Sequence, residues 1–376
     1  MTPEAWSRAR NVLAVRLDGM GDLLMSTPAL RALKESVPHR RLSLLVSPAG
    51  AAVARQLPFV DDVIVFRAPW MKHPEDADAA TRTEALVRDL RARRFEAAVV
   101  LTVFSQSPLP AALVLLLAAV PLRAGYCREN PYTLLTHWLP ERDLDVHRGV
   151  RHEVQRQLDL AAALGARASD TRLQFPVDAA ARSRVIERLR EAGVRAGTRL
   201  LVVHPGATAA SRRYPLEALR AAMARLAAED GWSIVVAGGP EDVASAASLC
   251  AAPVTAISLA GLLDIGELAA LLQLASVVVS NNSVAAHLAA AVGTPVVDLY
   301  ALTNPQHTPW SVPNRVLNHD VDCRYCFKSV CPQGHHRCLA DVAPAEVVDA
   351  VRDLAAGAQS AAPAVAIAGA RVTMAA

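Results

Sequence analysis

The chain has 376 residues, of which 52% are apolar and 20% charged, and its formal net charge is +3. This length suits two domains of ordinary size, and this composition excludes an intrinsically disordered chain. Because the basic excess is small and no basic run contains aromatic residues, a nucleic-acid-binding protein is excluded as well. A modest basic excess still suits an anionic substrate or an anionic membrane surface.

Strand-like and helix-like patterns alternate in the first half of the chain. Buried strands are predicted at 11–17, 41–47, 61–66 and 96–104, and helices at 27–36, 49–56 and 78–93. Pro28 would lie in the first turn of its helix, where its missing N–H is harmless. Residues 124–178 are more polar and are predicted to be loop-like, apart from a helix near 151–164 and a strand at 173–177.

The alternation resumes at residue 199. Strands are predicted at 199–206, 233–239, 254–261, 276–282 and 295–300, and helices at 215–229, from 241, at 264–274 and at 283–291. This βαβ rhythm predicts an α/β protein with parallel sheets and right-handed crossovers. We expect an N-terminal domain of residues 1–172, a C-terminal domain of residues 173–357 and a disordered tail at 358–376.

The longest apolar run, Ala111 to Val120, lies between two prolines and is too short to span a bilayer. A buried helix is expected there, in preference to a segment that lies at a membrane interface. The first residues lack the charged start and the small-residue cleavage site of a signal peptide. The protein is therefore expected to be soluble and cytoplasmic.

Two glycines and a carboxylate follow the first predicted strand. Gly19 and Gly21 permit a tight turn and a close approach of the backbone to a ligand. A dinucleotide-binding fold would need a third glycine, but Leu24 stands at that position, which disfavours NAD binding. Asp22 stands at the start of a helix, where it either caps the helix or acts as a catalytic base. The sequence leaves both roles open.

Polar and basic residues follow the strand at 199–206. Thr208 and Ser211 offer hydroxyl groups, and Arg212 and Arg213 offer two guanidinium groups directly before a helix. Two cations at the positive end of a helix are unfavourable unless an anion is present. This arrangement favours a phosphate-binding site over solvated surface charge.

The strand at 233–239 ends in residues that suit a nucleotide. Gly239 ends the strand, and Glu241 or Asp242 could reach ribose hydroxyl groups. A place in the first turn of a helix is equally open to these carboxylates.

Amide and hydroxyl groups also follow the strand at 276–282. Asn281, Asn282 and Ser283 leave this strand and begin a helix, which places them at another terminus that favours anions. His287 lies four residues after Ser283 and shares its face of the helix. This histidine is either a packing residue or a part of the site.

Four cysteines are closely spaced near the carboxyl end, at Cys323, Cys326, Cys331 and Cys338, with two histidines inside the segment. This spacing has features of a structural zinc site but matches no standard zinc or iron–sulfur pattern. A closed zinc site and thiols without metal both stay open, and we expect the thiols. Six cysteines in a chain of this size do not indicate a disulfide scaffold.

Taken together, these motifs resemble glycosyltransferase family 9, the heptosyltransferase family. The resemblance covers residues 11–355 and rests on RLDGMGDLLMSTPALRALK, HPGA followed by RRYP, GGPED, SNNSVAAHLAAAVGTPVV and the cysteine-rich segment that ends in CPQGHHRCL. It implies a GT-B fold, in which two Rossmann-like domains face each other across a cleft. It further implies an inverting transfer from a nucleotide-diphosphate sugar such as ADP-heptose, without a catalytic metal or another cofactor.

The resemblance also assigns roles to individual residues. It places the catalytic carboxylate at Asp22, the donor-phosphate-binding residue at Arg212, and the donor-binding stretch at Asn282, Ser283 and His287. Many members have Asp at the position of Asn282. The other residues expected at the donor site are Thr208, Arg213, Gly239 and Glu241, and a loop beside the acceptor is expected to contain Gly19 and Gly21.

The implied partners are a nucleotide-sugar donor and a glycolipid or saccharide acceptor similar to lipopolysaccharide core. A peripheral contact with the cytoplasmic face of the inner membrane would fit such an acceptor. Three other functions stay open. A Rossmann oxidoreductase would require NAD binding, another GT-B enzyme such as an epimerase would turn over the donor without an acceptor, and a non-catalytic protein would bind the donor without transfer.

Overall fold

The computed structural model of the protein describes residues 4–71, 76–141, 150–194 and 197–358. The chain divides into two units, Met1–Pro176 and Val177–Ala376, and each unit is built around one six-stranded parallel sheet. The division follows Pro176, whereas the sequence predicted a boundary after residue 172. The predicted tail lies outside the described residues, except that the last helix ends at Ala358.

The first sheet has the strand order β3-β2-β1-β4-β5-β6. Its strands are β1 (Asn11–Arg16), β2 (Arg41–Val46), β3 (Asp62–Val65), β4 (Ala97–Val100), β5 (Leu122–Cys127) and β6 (His137–Pro140). The helices of this unit are α1 (Glu4–Arg8), α2 (Met20–Glu35), α3 (Pro48–Ala54), α4 (Ala79–Ala92), α5 (Leu109–Leu117) and α6 (Glu153–Ala163). Because the order reverses between β1 and β4, the carboxyl ends of these two strands flank the crevice at which open parallel sheets bind ligands.

The second sheet has the order β12-β11-β10-β7-β8-β9, which repeats the topology of the first. Its strands are β7 (Leu200–His204), β8 (Ser233–Val236), β9 (Ala256–Ser258), β10 (Val277–Asn281), β11 (Val296–Leu299) and β12 (Asn314–Leu317). Its helices are α7 (Ala179–Glu191), α8 (Leu216–Asp230), α9 (Val243–Leu249), α10 (Ile265–Leu274), α11 (Val284–Ala291), α12 (Arg337–Ala340) and α13 (Pro344–Ala358). The crevice of this sheet lies between β7 and β10. The predicted α/β class with two Rossmann-like domains is confirmed.

The central strands are buried on both faces because helices cover each sheet on both sides. In β1, Leu13 and Val15 pack into a core with Leu90 of α4 and Leu115 of α5. In the second unit, β7, β8, β10 and β11 share a core with α8 and α13. A charged residue inside such a strand therefore cannot reach water and needs a partner within the protein.

The helix after β1 begins earlier than the sequence predicted. α2 starts at Met20, and Pro28 lies inside it, so the prediction of a start near Thr27 is wrong. Proline removes the N–H that would bond to the carbonyl of Leu24. The hydroxyl group of Thr27 donates a hydrogen bond to that carbonyl at 2.7 Å, which explains why the helix continues. Asp22 consequently lies in the first turn of α2.

The strand predicted at 173–177 does not form. The side chains of Leu173 and Phe175 are buried, but the N–H of Gln174 bonds to the hydroxyl oxygen of Thr27 at 3.1 Å. Pro176 removes a further donor that a ladder would need. Conversely, β5 and β6 form within the region predicted to be loop-like. Polar residues are tolerated in β6 because it is an edge strand.

The apolar run at 111–120 contributes to α5, which is buried on one face only. Ala112 and Leu115 are buried, whereas Leu113, Leu116 and Leu117 are 46%, 36% and 49% exposed. The prediction of a buried helix is therefore correct for the inner face and wrong for the outer face. Within the described part of the chain, no helix is both long enough and apolar enough to span a membrane.

Candidate functional site

Asp22 lies at the crevice of the first sheet. Its Oδ2 accepts a hydrogen bond from the N–H of Gly19, the residue before α2, at 3.2 Å. Gly21 is the second residue of this helix. The contact with Gly19 belongs to a capping box, so the capping role is present. The side chain nevertheless keeps 23% of its surface exposed, which leaves the carboxylate able to meet a substrate. Capping and proton transfer are therefore compatible at this residue.

Arg16, the last residue of β1, is buried among three carboxylates. Its Nε lies 3.1 Å from Oδ2 of Asp18. One of its terminal nitrogens lies 3.2 Å from Oε1 of Glu153 and 3.6 Å from Oδ1 of Asp22. The side chains of Arg16 and Glu153 are both fully buried. Three carboxylates, two of them buried, share the guanidinium of Arg16, so burial and mutual repulsion favour retention of a proton within this cluster.

Asp18 is the carboxyl that retains the proton most readily. Burial raises its pKa to about 7; Arg16 opposes that shift and the carboxylate of Asp22 adds to it. The amide Nε2 of Gln106 donates a hydrogen bond to Oδ1 of Asp18 at 2.5 Å. Asp18 therefore exchanges its proton near neutral pH, directly below the carboxyl ends of β1 and β4.

A cavity of about 290 Å³ adjoins this cluster. Trp70 and Met71 give it apolar surface, and Ser105, Gln106 and Ser107 give it hydroxyl and amide groups. Because Gln106 also bonds to Asp18, the cavity and the buried charges share one side chain. Apolar surface with a few polar groups is typical of a site for a small molecule.

The loop after β7 carries the predicted phosphate-binding residues. Thr208 and Arg213 are exposed, and Arg212 ends a short 3-10 turn and is half-buried. Nε of Arg213 donates a hydrogen bond to the carbonyl of Ala207 at 2.9 Å, which shapes the loop. α8 begins after Pro215, so the two arginines precede this helix instead of lying in its first turn.

A buried carboxyl group in β11 lies near Arg212. Asp298 is fully buried, and neither of its oxygens has a hydrogen-bond partner within the described part of the chain. Burial raises the pKa of Asp298 well above its ordinary value, and the charge of Arg212 opposes that shift. The more readily Asp298 keeps its proton, the less it offsets the charge of Arg212, and this favours the binding of an anion there.

The two carboxylates after β8 have different environments. Asp242 is buried, and its Oδ2 accepts a hydrogen bond from the N–H of Gly239 at 3.0 Å. The carboxylate of Asp242 fills the space that a side chain at Gly206 would need, and this contact joins the turns after β7 and β8. Burial lowers the pKa of His204, and Asp242 opposes that shift. Glu241 is exposed and is thus the carboxylate of the pair that is open to a ligand.

Asn281, at the end of β10, bonds to both ends of the loop after β7. Its Nδ2 donates a hydrogen bond to the carbonyl of Pro205 at 2.5 Å, and its Oδ1 accepts one from the N–H of Tyr214 at 3.0 Å. The side chain thereby fixes both ends of the loop that carries Arg212. The sequence pattern indicated a polar amide group at this position but could not reveal this contact.

The other residues predicted after β10 are mostly buried. Nδ2 of Asn282 donates a hydrogen bond to the carbonyl of His307 at 3.2 Å, and the residue is 5% exposed. Ser283 caps α11, since its hydroxyl oxygen accepts a hydrogen bond from the N–H of Ala285. His287 lies one turn further along α11 and is 3% exposed. The structure thus brings these residues to the crevice of the second sheet, with Ser283 more open than the other two.

The cysteine-rich segment packs against the loop of Arg212. The hydroxyl of Ser211 donates a hydrogen bond to the carbonyl of Lys328 at 2.7 Å. Sγ of Cys323 lies 3.8 Å from Nε2 of His335. Burial raises the pKa of Cys338, and the other three cysteines of the segment add to that shift. Within the described residues, no three His, Cys, Asp or Glu side chains are arranged as ligands of one metal ion. The expectation of thiols without metal stays a prediction.

Arg16, Asp18, Glu153 and Asp298 were not predicted from the sequence. Arg16 and Asp298 each interrupt an apolar run that was predicted to be a buried strand, and a charge in such a place signals a partner. Glu153 meets Arg16 across 137 residues of sequence, so no local pattern could reveal that contact.

Comparison with known proteins identifies a family and several relatives that share it. Residues 83–336 match the model of glycosyltransferase family 9 (heptosyltransferase). Lipopolysaccharide heptosyltransferase 3 of Escherichia coli is 26% identical over 303 residues, which cover 77% of this chain and 84% of that protein.

Two solved structures share the fold. The glycosyl transferase family 9 protein from Veillonella parvula DSM 2008 has a TM-score of 0.77 and 19% identity, over 93% of this chain and 98% of its own. The E. coli heptosyltransferase WaaC with ADP-2-deoxy-2-fluoro heptose has a TM-score of 0.65 and 20% identity, over 91% of this chain and 99% of its own. At these identities the likeness concerns the fold alone.

Proposed function

Since the chain belongs to glycosyltransferase family 9 and is a glycosyltransferase, we propose that it transfers heptose from ADP-heptose to an acceptor similar to lipopolysaccharide core, with inversion at the anomeric carbon. One observation carries this proposal. A partly exposed carboxylate, Asp22, lies at the crevice of one sheet, and the half-buried guanidinium of Arg212, beside the buried carboxyl group of Asp298, lies at the crevice of the other.

The donor is proposed to bind at the crevice of the second sheet. Arg212 and Arg213 would contact the diphosphate, and the amino end of α11 with Ser283 would add partial positive charge and a hydroxyl group. The exposed carboxylate of Glu241 would accept hydrogen bonds from ribose hydroxyl groups. It lies against Gly239, where a side chain would leave it no room. The bound ADP-sugar analogue in the structure of WaaC supports ADP-heptose as the donor.

The acceptor is proposed to bind in the cavity between β1 and β4. Trp70 suits the apolar face of a sugar ring, and Gln106 suits its hydroxyl groups. Asp22 takes the proton of one acceptor hydroxyl while that oxygen bonds to the anomeric carbon. The bond from the anomeric carbon to the diphosphate oxygen breaks on the opposite face, so the configuration inverts. The nucleoside diphosphate leaves with the electron pair.

Arginine side chains are proposed to stabilise the leaving group in place of a metal ion. Negative charge develops on the diphosphate as the bond breaks, and prearranged cations stabilise that charge more strongly in the transition state than in the ground state. Arg212 is suited to this role because burial raises the pKa of the neighbouring Asp298, so that this carboxyl group competes less with the diphosphate for the charge of Arg212. The proposed reaction therefore requires neither a catalytic metal nor a cofactor.

A contact with the cytoplasmic face of the inner membrane is proposed through the outer face of α5. Leu116 and Leu117 are exposed there, and a terminal nitrogen of Arg91 in α4 donates a hydrogen bond to the carbonyl of Leu117. Arg88, also in α4, and Arg94, which follows this helix, are exposed as well. Apolar side chains bordered by arginines suit an anionic lipid surface, where a glycolipid acceptor would lie.

Transfer assays with a panel of nucleotide sugars test the proposed function. ADP-heptose and ADP should raise the melting temperature of the protein more than UDP-sugars, GDP-sugars or NAD. With heptose-deficient lipopolysaccharide, mass spectrometry should detect one added heptose, and NMR should show the inverted anomer. Donor turnover without acceptor would favour an epimerase-like enzyme, and donor binding without any turnover would favour a non-catalytic protein.

A further inference from the structure

Both oxygens of Asp22 are held by contacts within the first unit. The N–H of Gly19 holds Oδ2 at 3.2 Å, and the guanidinium of Arg16 faces Oδ1 at 3.6 Å. The backbone contact belongs to the helix start, but the contact with Arg16 does not. A buried arginine that reaches the exposed end of a carboxylate can fix both its rotamer and its charge.

Glu153 contacts the same terminal nitrogen of Arg16 that faces Asp22. This first residue of α6 is fully buried, and its Oε1 accepts hydrogen bonds from Arg16 at 3.2 Å and from Nε2 of Gln157 at 2.6 Å. Its Oε2 lies 3.5 Å from Arg156. Both oxygens are thus engaged, and the guanidinium of Arg16 is fixed between α6 and α2.

Such a buried cluster is a poor way to stabilise a fold. Removing charges from water costs several kcal/mol per ion, and apolar side chains of similar volume often give equal or greater stability. The cluster includes the guanidinium of Arg16 and the carboxyl groups of Asp18, Asp22 and Glu153, and it lies at the ligand crevice, where strained electrostatics are characteristic of function.

We propose that Glu153 is a positioning residue for transfer: it holds Arg16, and Arg16 holds the carboxylate of Asp22 toward the acceptor hydroxyl. This inference rests on the proposed role of Asp22 as the base. It assigns to α6 a part in the reaction, although no residue of α6 needs to touch either substrate.

The charge balance gives the inference a measurable consequence. Among the described residues, the charged groups that face Asp22 include Arg16 on β1, Asp18 in the turn after β1 and Glu153 on α6, and Arg156 pairs with Glu153. If Glu153 loses its charge, the positive charge of Arg16 is shared by Asp18 and Asp22 alone among these three carboxylates. Both carboxylates then hold a proton less readily, so Asp22 becomes a weaker base.

Glu153→Gln tests the inference, because glutamine keeps the shape and one acceptor oxygen but not the charge. Under single-turnover conditions we expect the transfer rate to fall about tenfold or more. The rising limb of its pH profile should move to lower pH by about one unit. The KM for the donor should stay unchanged, since the second unit carries the donor residues.

Glu141→Gln is the matched control. Glu141 is 3% exposed in its side chain and pairs with Arg156, the arginine on the far side of Glu153. Its substitution removes a buried charge from the same network without removing the partner of Arg16. We expect a lower melting temperature and an unshifted pH profile for this variant.

A double-variant comparison separates the failure of this inference from that of the proposed function. If Asp22→Asn abolishes transfer while Glu153→Gln retains the wild-type rate and pH profile, the positioning role is wrong and the base role stands. If Asp22→Asn transfers normally, the base role fails and the positioning role fails with it. If both act together, Glu153→Gln combined with Asp22→Asn should be no slower than Asp22→Asn alone.

Arg16→Lys keeps the inference testable if Glu153→Gln does not fold. A single ammonium retains the charge but cannot contact Asp18 while it also faces Glu153 and Asp22, as Nε and one terminal nitrogen of Arg16 do together. The variant should bind the donor normally and transfer more slowly, about tenfold or more. An unchanged single-turnover rate in folded Arg16→Lys would overturn the inference.

Discussion

Nε of Arg16 lies 3.1 Å from the carboxyl group of Asp18, where neither side chain is open to solvent. Such a contact ordinarily keeps an aspartate ionised. Here burial raises the pKa of Asp18 to about 7. The guanidinium of Arg16 opposes this shift, but the carboxylates of Asp22 and Glu153, which share that guanidinium, add to it. One proton is consequently held or released at the ligand crevice within the ordinary pH range of an enzyme.

The stability of the protein should depend on pH through Asp18. Its pKa is about 7 in the folded chain against an ordinary 3.8, so its stabilising contribution is complete below 3.8 and is lost as the pH rises through 7. Asp18→Asn mimics the neutral form. Between about pH 5 and about pH 8, the wild type should lose about 1–3 kcal/mol of unfolding free energy relative to the variant. Urea titrations of both proteins at the two pH values measure this difference, and parallel pH dependences would contradict it.

Asp22→Asn should separate the two roles of Asp22. The amide oxygen of asparagine can still accept the hydrogen bond from Gly19, so the melting temperature should change little. Asparagine cannot take a proton, and transfer should fall by about 10²- to 10⁴-fold while the donor still binds. Substantial transfer by this variant, measured with a verified donor and acceptor, would show that the proton goes elsewhere.

Arg212→Ala should weaken the binding of nucleoside diphosphates selectively. A charge-assisted hydrogen bond to phosphate contributes about 1.5–3 kcal/mol, whereas adenosine has no phosphate to lose. Calorimetry with ADP and adenosine measures the two losses. Arg225→Ala serves as a control, because Arg225 on α8 is exposed and pairs with Glu229. Equal losses for both ligands would remove Arg212 from the phosphate site.

Transfer should survive treatment with EDTA, and elemental analysis should find substoichiometric zinc. The contact between Ser211 and Lys328 already explains a structural role for the cysteine-rich segment, since it supports the loop of Arg212. Stoichiometric zinc that is lost together with the fold on chelation would instead assign Cys323, Cys326, Cys331 and Cys338 to a structural metal site.

Leu116→Ser combined with Leu117→Ser should reduce binding to vesicles of phosphatidylethanolamine and phosphatidylglycerol. Two half-exposed leucines lose apolar area that would insert between headgroups, and about a tenfold weaker affinity is expected. Leu262→Ser is the control, since Leu262 is 55% exposed in the other unit. Unchanged sedimentation of the double variant with vesicles would contradict a membrane contact through α5.

The sequence predicted the strands that are continuous apolar runs, because this pattern is a local property, and it missed β5, β6 and β12. It failed where a distant partner overrides a local rule. The start of α2 was misplaced because the hydroxyl of Thr27 donates a hydrogen bond to the carbonyl of Leu24, which Pro28 cannot do. The strand predicted at 173–177 was wrong because the N–H of Gln174 bonds to the hydroxyl of Thr27. A proline inside a helix and a hydroxyl beside it could have been read together.

The candidate site shows the same division. Asp22 and Arg212 follow strands and belong to local motifs, so their placement at sheet crevices could be predicted. The partners that set their charge could not be, because Glu153 and Asp298 come from elements distant in sequence. Only the unusual position of a charge within a buried strand, as at Asp298, hinted at such partners.

The hydroxyl of Thr27 constrains the order in which substitutions can accumulate in this chain. While Pro28 is present, loss of that hydroxyl leaves the carbonyl of Leu24 and the N–H of Gln174 without partners at once. Replacing Pro28 first restores a donor for Leu24 and makes position 27 more permissive. Descendants that lack Thr27 are therefore expected to have lost Pro28 beforehand, so the two positions change as a pair in one direction.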